Sequence, residues 1–80
     1  MLVRYMQGAL RQATFTQIED GTFIGEIPGF EGVWSNATTM DGARAELADV
    51  LEGWILLGLR MGHELPVVDG ISLTPKLEVA

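Results

Sequence analysis

Residues 20–41 read DGTFIGEIPGFEGVWSNATTMD and contain most of the signals that decide the fold. Asp20-Gly21 separates two β-prone runs, and this dipeptide is typical of a two-residue type I′ turn, which needs positive φ at both positions. The sequence therefore predicts a β-hairpin over residues 13–27, with Ile18 opposite Phe23. On this register one face, the expected core face, carries Thr14, Thr16, Ile18, Phe23, Gly25 and Ile27, and the other carries Phe15, Gln17, Ile24 and Glu26. We expect the N-terminal helix or another subunit to cover the second face, because two of its residues are large and apolar.

The rest of this stretch leads from the hairpin into a helix. Pro28-Gly29 ends the second strand, because proline cannot donate to a strand ladder. Val33-Trp34-Ser35 predicts a short third strand. Thr38 and Thr39 both suit a helix N-cap, and Asp41 suits the first turn, where its charge meets the positive end of the helix dipole.

Two predicted helices flank the strands. Apolar residues at helical spacing predict a helix over residues 2–12, although Gly8 weakens it. A longer helix is predicted from about Met40 to Met61, with Gly62 as its C-terminal stop. The second half of this helix, residues 54–59, is apolar nearly all round, which is typical of a helix buried on more than one side. Its apolar stripe comprises Met40, Ala43, Leu47, Val50, Leu51, Trp54, Ile55 and Met61.

A last strand is predicted from Ile71, after the turn signal Asp69-Gly70, and Pro75 indicates that this strand lies at a sheet edge or breaks there. The predicted order is α-β-β-β-α-β. We therefore expect an α+β fold in which a small antiparallel sheet packs on one long helix, and a single domain over residues 1–80.

Composition favours a protein that works by contact with other proteins. The chain has 80 residues, 48% of them hydrophobic, which is a large apolar fraction for so small an interior. We expect a homo-oligomer, either a dimer or a tetramer, or a protein partner. The net charge is −6 and the five basic residues are scattered along the chain, so we expect no direct nucleic-acid binding. An acidic surface suits a basic protein partner.

Several other classes of protein are excluded or disfavoured. The chain has no cysteine, which excludes disulfide scaffolds and thiolate metal sites. The longest apolar run, residues 54–59, is too short to span a bilayer, and the first residues contain no continuous apolar run of signal-peptide length. We therefore expect a cytoplasmic protein that does not enter a membrane.

The chain resembles the HicB-like antitoxin domain, a small, partly formed ribonuclease-H-like fold. The likeness runs from about Tyr5 to Leu73 and depends on the order and spacing of several short motifs. These are Glu19-Asp20-Gly21, Gly25-Glu26-Ile27-Pro28, Gly32-Val33-Trp34, Thr39-Met40-Asp41 and Trp54-Ile55-Leu56. The chain departs from the family's pattern just before the helix cap and in its first turn, where Ala37 and Gly42 stand.

The resemblance implies a module that binds and neutralises a small basic ribonuclease toxin of the HicA type. Many members of this family carry an additional C-terminal DNA-binding segment that represses their operon. The sequence ends at Ala80 without it, so we do not expect repression. The alternative is a stand-alone oligomeric domain with a structural or small-ligand role and no toxin partner.

A ribonuclease-H-like topology also raises the possibility of a two-metal nuclease, which needs several converging carboxylates. No set of acids in the sequence points to one place, and His63 has no nucleophile motif beside it. We therefore expect no enzyme, no cofactor, and no catalytic or metal-binding residue. The acids considered are Glu19, Asp20, Glu26, Glu31, Asp41, Glu46, Asp49 and Glu52.

The predicted partner-binding patch comprises Glu26, Phe30, Glu31 and Trp34. These residues mix aromatic and acidic side chains near an edge of the predicted sheet, and tryptophan is enriched in binding hot spots. Trp54 belongs to the apolar stripe of the long helix, and we assign it to the core.

Overall fold

The computed structural model describes residues 2–73. Its elements are helix α1 (Leu2–Arg11), strands β1 (Thr14–Gln17), β2 (Phe23–Glu26) and β3 (Trp34–Ala37), and helix α2 (Met40–Arg60). The three strands form an antiparallel sheet in the order β1-β2-β3, and α2 packs against it. The predicted α+β fold is confirmed, with the element order α-β-β-β-α.

The segment after α2 holds a single bridge instead of a strand in its described part. Val68 and Ile71 exchange backbone hydrogen bonds around the turn at Asp69-Gly70, so the predicted turn is present. Residues 74–80 of the predicted last strand lie outside the described residues.

The hairpin register differs by one residue from the predicted one. Thr14 pairs with Glu26 and Gln17 with Phe23. The reason is the loop: Ile18 N–H donates to Thr22 C=O, and three residues, 19–21, connect the strands. Of the two residues of the predicted turn, only Gly21 has positive φ (85°), so the prediction of a type I′ turn is wrong. Positive φ at the last of three loop residues is typical of a type I turn with a G1 bulge.

This shift exchanges the faces of β1 relative to β2, because side chains alternate along a strand. Phe15, Gly25 and Ser35 are paired neighbours on the inner face, which packs against α2. The prediction that Thr14 and Thr16 face the core is wrong, and both are exposed. The outer face carries Thr14, Thr16, Ile24, Glu26, Trp34 and Asn36.

Helix α2 begins and ends close to the predicted positions. The Thr39 hydroxyl accepts a hydrogen bond from the N–H of Gly42 at 2.9 Å, which caps the helix as expected for threonine. Asp41 lies in the first turn, and Gly62, with φ 73°, follows the C-cap residue Met61. Glycine just past a helix end adopts this left-handed conformation without steric cost.

The core lies between α2 and the sheet. Leu47, Leu51 and Ile55 recur at four-residue steps along α2 and are fully buried. Each such side chain contributes roughly 1.5–3 kcal/mol by leaving water. The remaining core residues come from α1, the β2–β3 connection and the segment after α2: Tyr5, Ala9, Ile27, Phe30, Val33, Leu65 and Val68.

Helix α1 packs beside α2 and is held by the segment that follows it. The Tyr5 hydroxyl donates a hydrogen bond to the Pro66 carbonyl oxygen at 2.6 Å. Gly8 is buried against Val68, and a β-carbon at residue 8 would lie 2.7 Å from Val68 Cγ1. Glycine in the middle of α1 therefore permits this close approach, although it weakens the intrinsic preference for helix.

The outer sheet face is not covered by α1, which packs with α2. The register shift divides the face that was predicted to need cover. Phe15 lies on the inner face and lines a hollow with Leu10 of α1, whereas Ile24 and Glu26 lie on the outer face, for which cover by another subunit stays a prediction. Within residues 2–73, neither helix combines the length and the apolarity that crossing a membrane requires.

Candidate functional site

The connection between β2 and β3 consists of two consecutive tight turns. Phe30 N–H donates to Ile27 C=O, and Val33 N–H donates to Phe30 C=O. Gly29 and Gly32 occupy the third position of the two turns, with φ of 84° and 85°. Positive φ at this position is the signature of type II turns, and it selects glycine. The double turn gives the connection a defined shape beside the outer face of the sheet.

The double turn directs the Phe30 side chain into the core. Phe30 is 5% exposed, and its ring lies 6.3 Å from that of Tyr5 and 5.2 Å from that of Trp54. Its side chain is therefore occupied by core packing and offers little surface to a partner, although Phe30 is among the residues that line the groove described next. Its part in partner binding stays a prediction. Ile27, Phe30 and Val33 recur at three-residue steps, and the structure buries all three.

The other three predicted patch residues line one surface groove. Trp34 is 58% exposed on the outer face, and its paired neighbour across the sheet is Glu26. Glu31 approaches the same groove from the second turn, and Ile24 forms part of its floor from the outer face of β2. The groove has a volume of about 520 Å³. Sequence reasoning missed Ile24 as a lining residue, although it lies two residues before Glu26 and therefore on the same face of β2.

This groove has the chemistry of a protein-binding surface. A large exposed indole supplies apolar area, and the two carboxylates beside it attract cations. Trp34 also lies on β3, an edge strand of the three-stranded sheet. An exposed aromatic beside acidic side chains suits a partner with lysine or arginine around an apolar pocket.

The acids considered for a nuclease do not form a cluster in the structure. Within residues 2–73, no three His, Asp or Glu side chains lie where they could jointly hold a metal ion. Asp20 serves the hairpin loop: hydrogen bonds from the Thr22 hydroxyl and from Thr22 N–H lower its pKa. Asp41 lies in the first turn of α2. His63 is exposed just beyond α2, beside Leu57 and Leu65.

Three of the arginines, scattered in the sequence, come near one another beside α1. Arg4 and Arg11 lie on one face of α1 and line a shallow hollow, and Arg11 and Arg44 line the next one. Arg11 donates to the Asp69 carboxylate at 2.7 Å, and the Arg44 guanidinium lies 5.1 Å from the centre of the Phe15 ring. Since these hollows also include carboxylates, this surface has mixed charge and differs from the acidic groove.

The chain is similar to known small domains in both sequence and structure. The family model described as UPF0150-like matches residues 4–66. The crystal structure of TTHA0281 from Thermus thermophilus is similar to this chain with a TM-score of 0.86 and 30% sequence identity, and the alignment covers 94% of each chain. No curated protein matches the sequence.

Proposed function

The chain belongs to the UPF0150-like family, and from this premise we propose that it is a HicB-like antitoxin module. It binds a small basic ribonuclease of the HicA type and neutralises it by covering its active face. The module contributes no chemistry of its own. The proposal rests on the resemblance of its motifs to the HicB-like domain and on the surface described above.

The observation that carries this proposal is the exposure of Trp34 beside Glu26, in a groove that Glu31 also lines. A tryptophan that leaves more than half of its surface in water offers a partner a large apolar area to cover. Tryptophan is also among the residues that contribute most to binding energy in protein interfaces.

The charge of the chain supports a basic partner. The net charge of −6 raises the encounter rate with a cationic protein through long-range attraction. Carboxylates beside the groove then meet lysine or arginine of the partner at short range, which sets orientation more than affinity. Covering the cationic active face of a ribonuclease would also block its access to RNA phosphates.

Co-expression tests the proposal directly. The chain is expressed with a tag together with the small basic protein encoded beside it, and the two are purified through the tag. We expect a complex at micromolar concentration and relief of the growth arrest that the basic protein causes alone. Absence of both results would refute the antitoxin function.

Point variants then locate the interface. We expect Trp34→Ala to weaken the complex by about 2 kcal/mol, the scale of a binding hot spot. Glu26→Lys reverses a charge at the groove, whereas Glu19→Lys makes the same change in the hairpin loop, at the opposite end of the sheet. Equal loss of affinity in the two lysine variants, measured by calorimetry, would show that the groove is not the interface.

Tryptophan fluorescence reports the same contact from the protein's side. Trp54→Phe leaves Trp34 as the single tryptophan of the chain. We expect its emission to shift to shorter wavelength and its quenching by iodide to fall when the partner binds. An unchanged spectrum in a saturated complex would contradict a contact at Trp34.

The alternative function is a stand-alone oligomeric domain without a toxin partner. The observation that favours it is the set of exposed apolar residues at the end of α2, Leu56, Leu57 and Met61. Stable self-association together with failure to bind the neighbouring basic protein would support this alternative.

A further inference from the structure

The second half of α2 exposes apolar side chains that the fold leaves in water. Leu56 is 52% exposed, Leu57 57% and Met61 59%. The opposite side of the helix is already occupied, because Leu51 and Ile55 are fully buried in the core. The prediction that this part of the helix is buried on several sides is therefore not met by the single chain.

One line of exposed residues runs along this outward side of α2. It comprises Glu46, Asp49, Gly53, Leu56 and Arg60, all of them exposed. Their spacing alternates between three and four residues, which keeps them on one face of the helix and is the spacing of a helix–helix seam. We call this line the α2 seam. It is acidic at its N-terminal end, small and apolar in the middle, and basic at its C-terminal end.

We propose that the α2 seam is an antiparallel self-association surface, occupied by the α2 seam of a second copy of this chain. A two-fold axis brings the same patch of both copies together, so the patch must complement itself. If the helices cross at Gly53, Arg60 of one copy lies opposite Glu46 of the other, since each is seven residues from the crossing point. If they cross at Leu56, Arg60 lies opposite Glu52.

The charge pattern therefore favours a second copy of the chain as the partner and an antiparallel orientation of the two α2 helices. If they cross midway between Gly53 and Leu56, Arg60 lies opposite Asp49, so each of these three antiparallel registers sets Arg60 against an acidic residue of the partner helix. In a parallel arrangement, Glu46 and Asp49 would face their own copies, and like charges at close range are unfavourable. The apolar residues fill the middle of each antiparallel arrangement.

Gly53 allows the two helices to approach closely. A β-carbon at this position would have no atom within 4 Å, so its side faces open space. Leu56 of a second copy can pack over this gap, and the exposed Leu57 and Met61 flank the contact. Packing of this kind removes from water the apolar area that the monomer leaves exposed.

This surface is separate from the groove proposed for the basic partner. The α2 helix packs on the inner face of the sheet, whereas Trp34 and Glu26 lie on its outer face. A dimer through α2 thus keeps both grooves free and presents two binding sites. The inference concerns the chain alone, so its test does not depend on whether a toxin is bound.

Disulfide trapping tests the proposed geometry, because the natural chain contains no cysteine. Residues at a two-fold axis lie opposite their own copies, so single cysteines there can join two chains. We expect Gly53→Cys or Leu56→Cys to form covalent dimers rapidly under mild oxidation. Val3→Cys is the matched control, since Val3 is 66% exposed on α1. Trapping no faster than in this control for both variants would overturn the proposal.

Sedimentation of reduced, purified protein measures the association itself. We expect a dimer for the natural chain, and Leu56→Asp should raise the dissociation constant at least about tenfold while circular dichroism stays unchanged. Arg60→Glu should also weaken the dimer, and combining it with Glu46→Arg and Glu52→Arg should restore it. Arg4→Glu, which makes the same charge change on α1, should have no effect. A natural chain that stays monomeric at about 1 mM would refute the proposal.

Discussion

The Ser35 hydroxyl donates a hydrogen bond to the Ala43 carbonyl oxygen at 2.8 Å, and this bond joins edge strand β3 to the start of α2. Ser35 is fully buried, so its hydroxyl needs a protein partner to replace water. Across residues 2–73, every buried side-chain nitrogen and oxygen has a hydrogen-bond partner. The inner face of the sheet is thus fixed against α2 by a specific polar contact as well as by apolar packing.

Replacing Ser35 by alanine should lower the free energy of unfolding by about 1 kcal/mol, the net value of one intramolecular hydrogen bond. Urea denaturation followed by circular dichroism measures this change. Ser72→Ala is the matched control, because Ser72 is exposed. Equal stability of the two variants would show that the Ser35–Ala43 bond contributes nothing.

Two glycines within helices should respond to alanine in opposite directions. Alanine at residue 53 meets no neighbour and should raise stability by about 0.5–1 kcal/mol, because alanine favours helix. At residue 8 its methyl group would press on Val68, and overpacking of this kind costs about 1–3 kcal/mol. Both changes are compared by urea denaturation in a Leu56→Asp background, which separates folding from self-association. A stabilising Gly8→Ala would contradict the close packing of α1 on this segment.

Tyr5→Phe should destabilise the domain by about 1 kcal/mol at neutral pH, because it removes the hydrogen bond to Pro66. Burial raises the pKa of Tyr5 above its ordinary value. The raised pKa means that stability is greatest below the unfolded-state pKa, about 10. It falls as pH rises through the folded-state pKa. Since Tyr5 is the single tyrosine, ultraviolet absorbance of tyrosinate measures its titration directly. A normal tyrosine pKa in the folded protein would be inconsistent with its burial.

Asp20→Ala should destabilise the hairpin at neutral pH and less so in acid. Hydrogen bonds from Thr22 lower the pKa of Asp20 in the folded state. The stabilising effect of Asp20 is therefore fully present above the unfolded-state pKa, about 3.9. It is lost as pH falls through the lower pKa of the folded state. Denaturation of the natural chain and the variant between neutral pH and acid measures the difference, with the neighbouring Glu19→Ala as control. A difference that stays constant with pH would exclude Asp20 as its source.

The helices and the order of elements could be predicted because their signals are local. The cap at Thr39, the apolar four-residue steps of α2 and the glycine at residue 62 each act within one or two helical turns. The Asp20-Gly21 turn was located correctly, yet its loop length was not. An Asp-Gly dipeptide occurs in hairpin loops of two residues and of three residues, so it does not decide the loop length. The length depends on the hydrogen bond that Asp20 accepts from Thr22 and on the packing of Phe15 against the core.

The composition of the groove at Trp34 could be predicted only in part, for a related reason. The sequence locates Glu26, Glu31 and Trp34 near one another, and the structure brings them to one groove. It does not reveal that Phe30 turns inward, because that direction is set by the two positive-φ glycines around it and by a contact with Tyr5, far away in the chain. Nor does the sequence show that Arg4, Arg11 and Arg44 share a surface, since this depends on how α1 packs beside α2.

The bond between Tyr5 and Pro66 also constrains how the protein is made. A nascent polypeptide that has not yet reached Pro66 leaves Tyr5 without its acceptor and Gly8 without Val68, so α1 has no docking site on that side. Contacts between such distant positions form late, because a long loop must close first. A chain shortened before Pro66 therefore lacks both contacts, and its first helix is held only by packing beside α2.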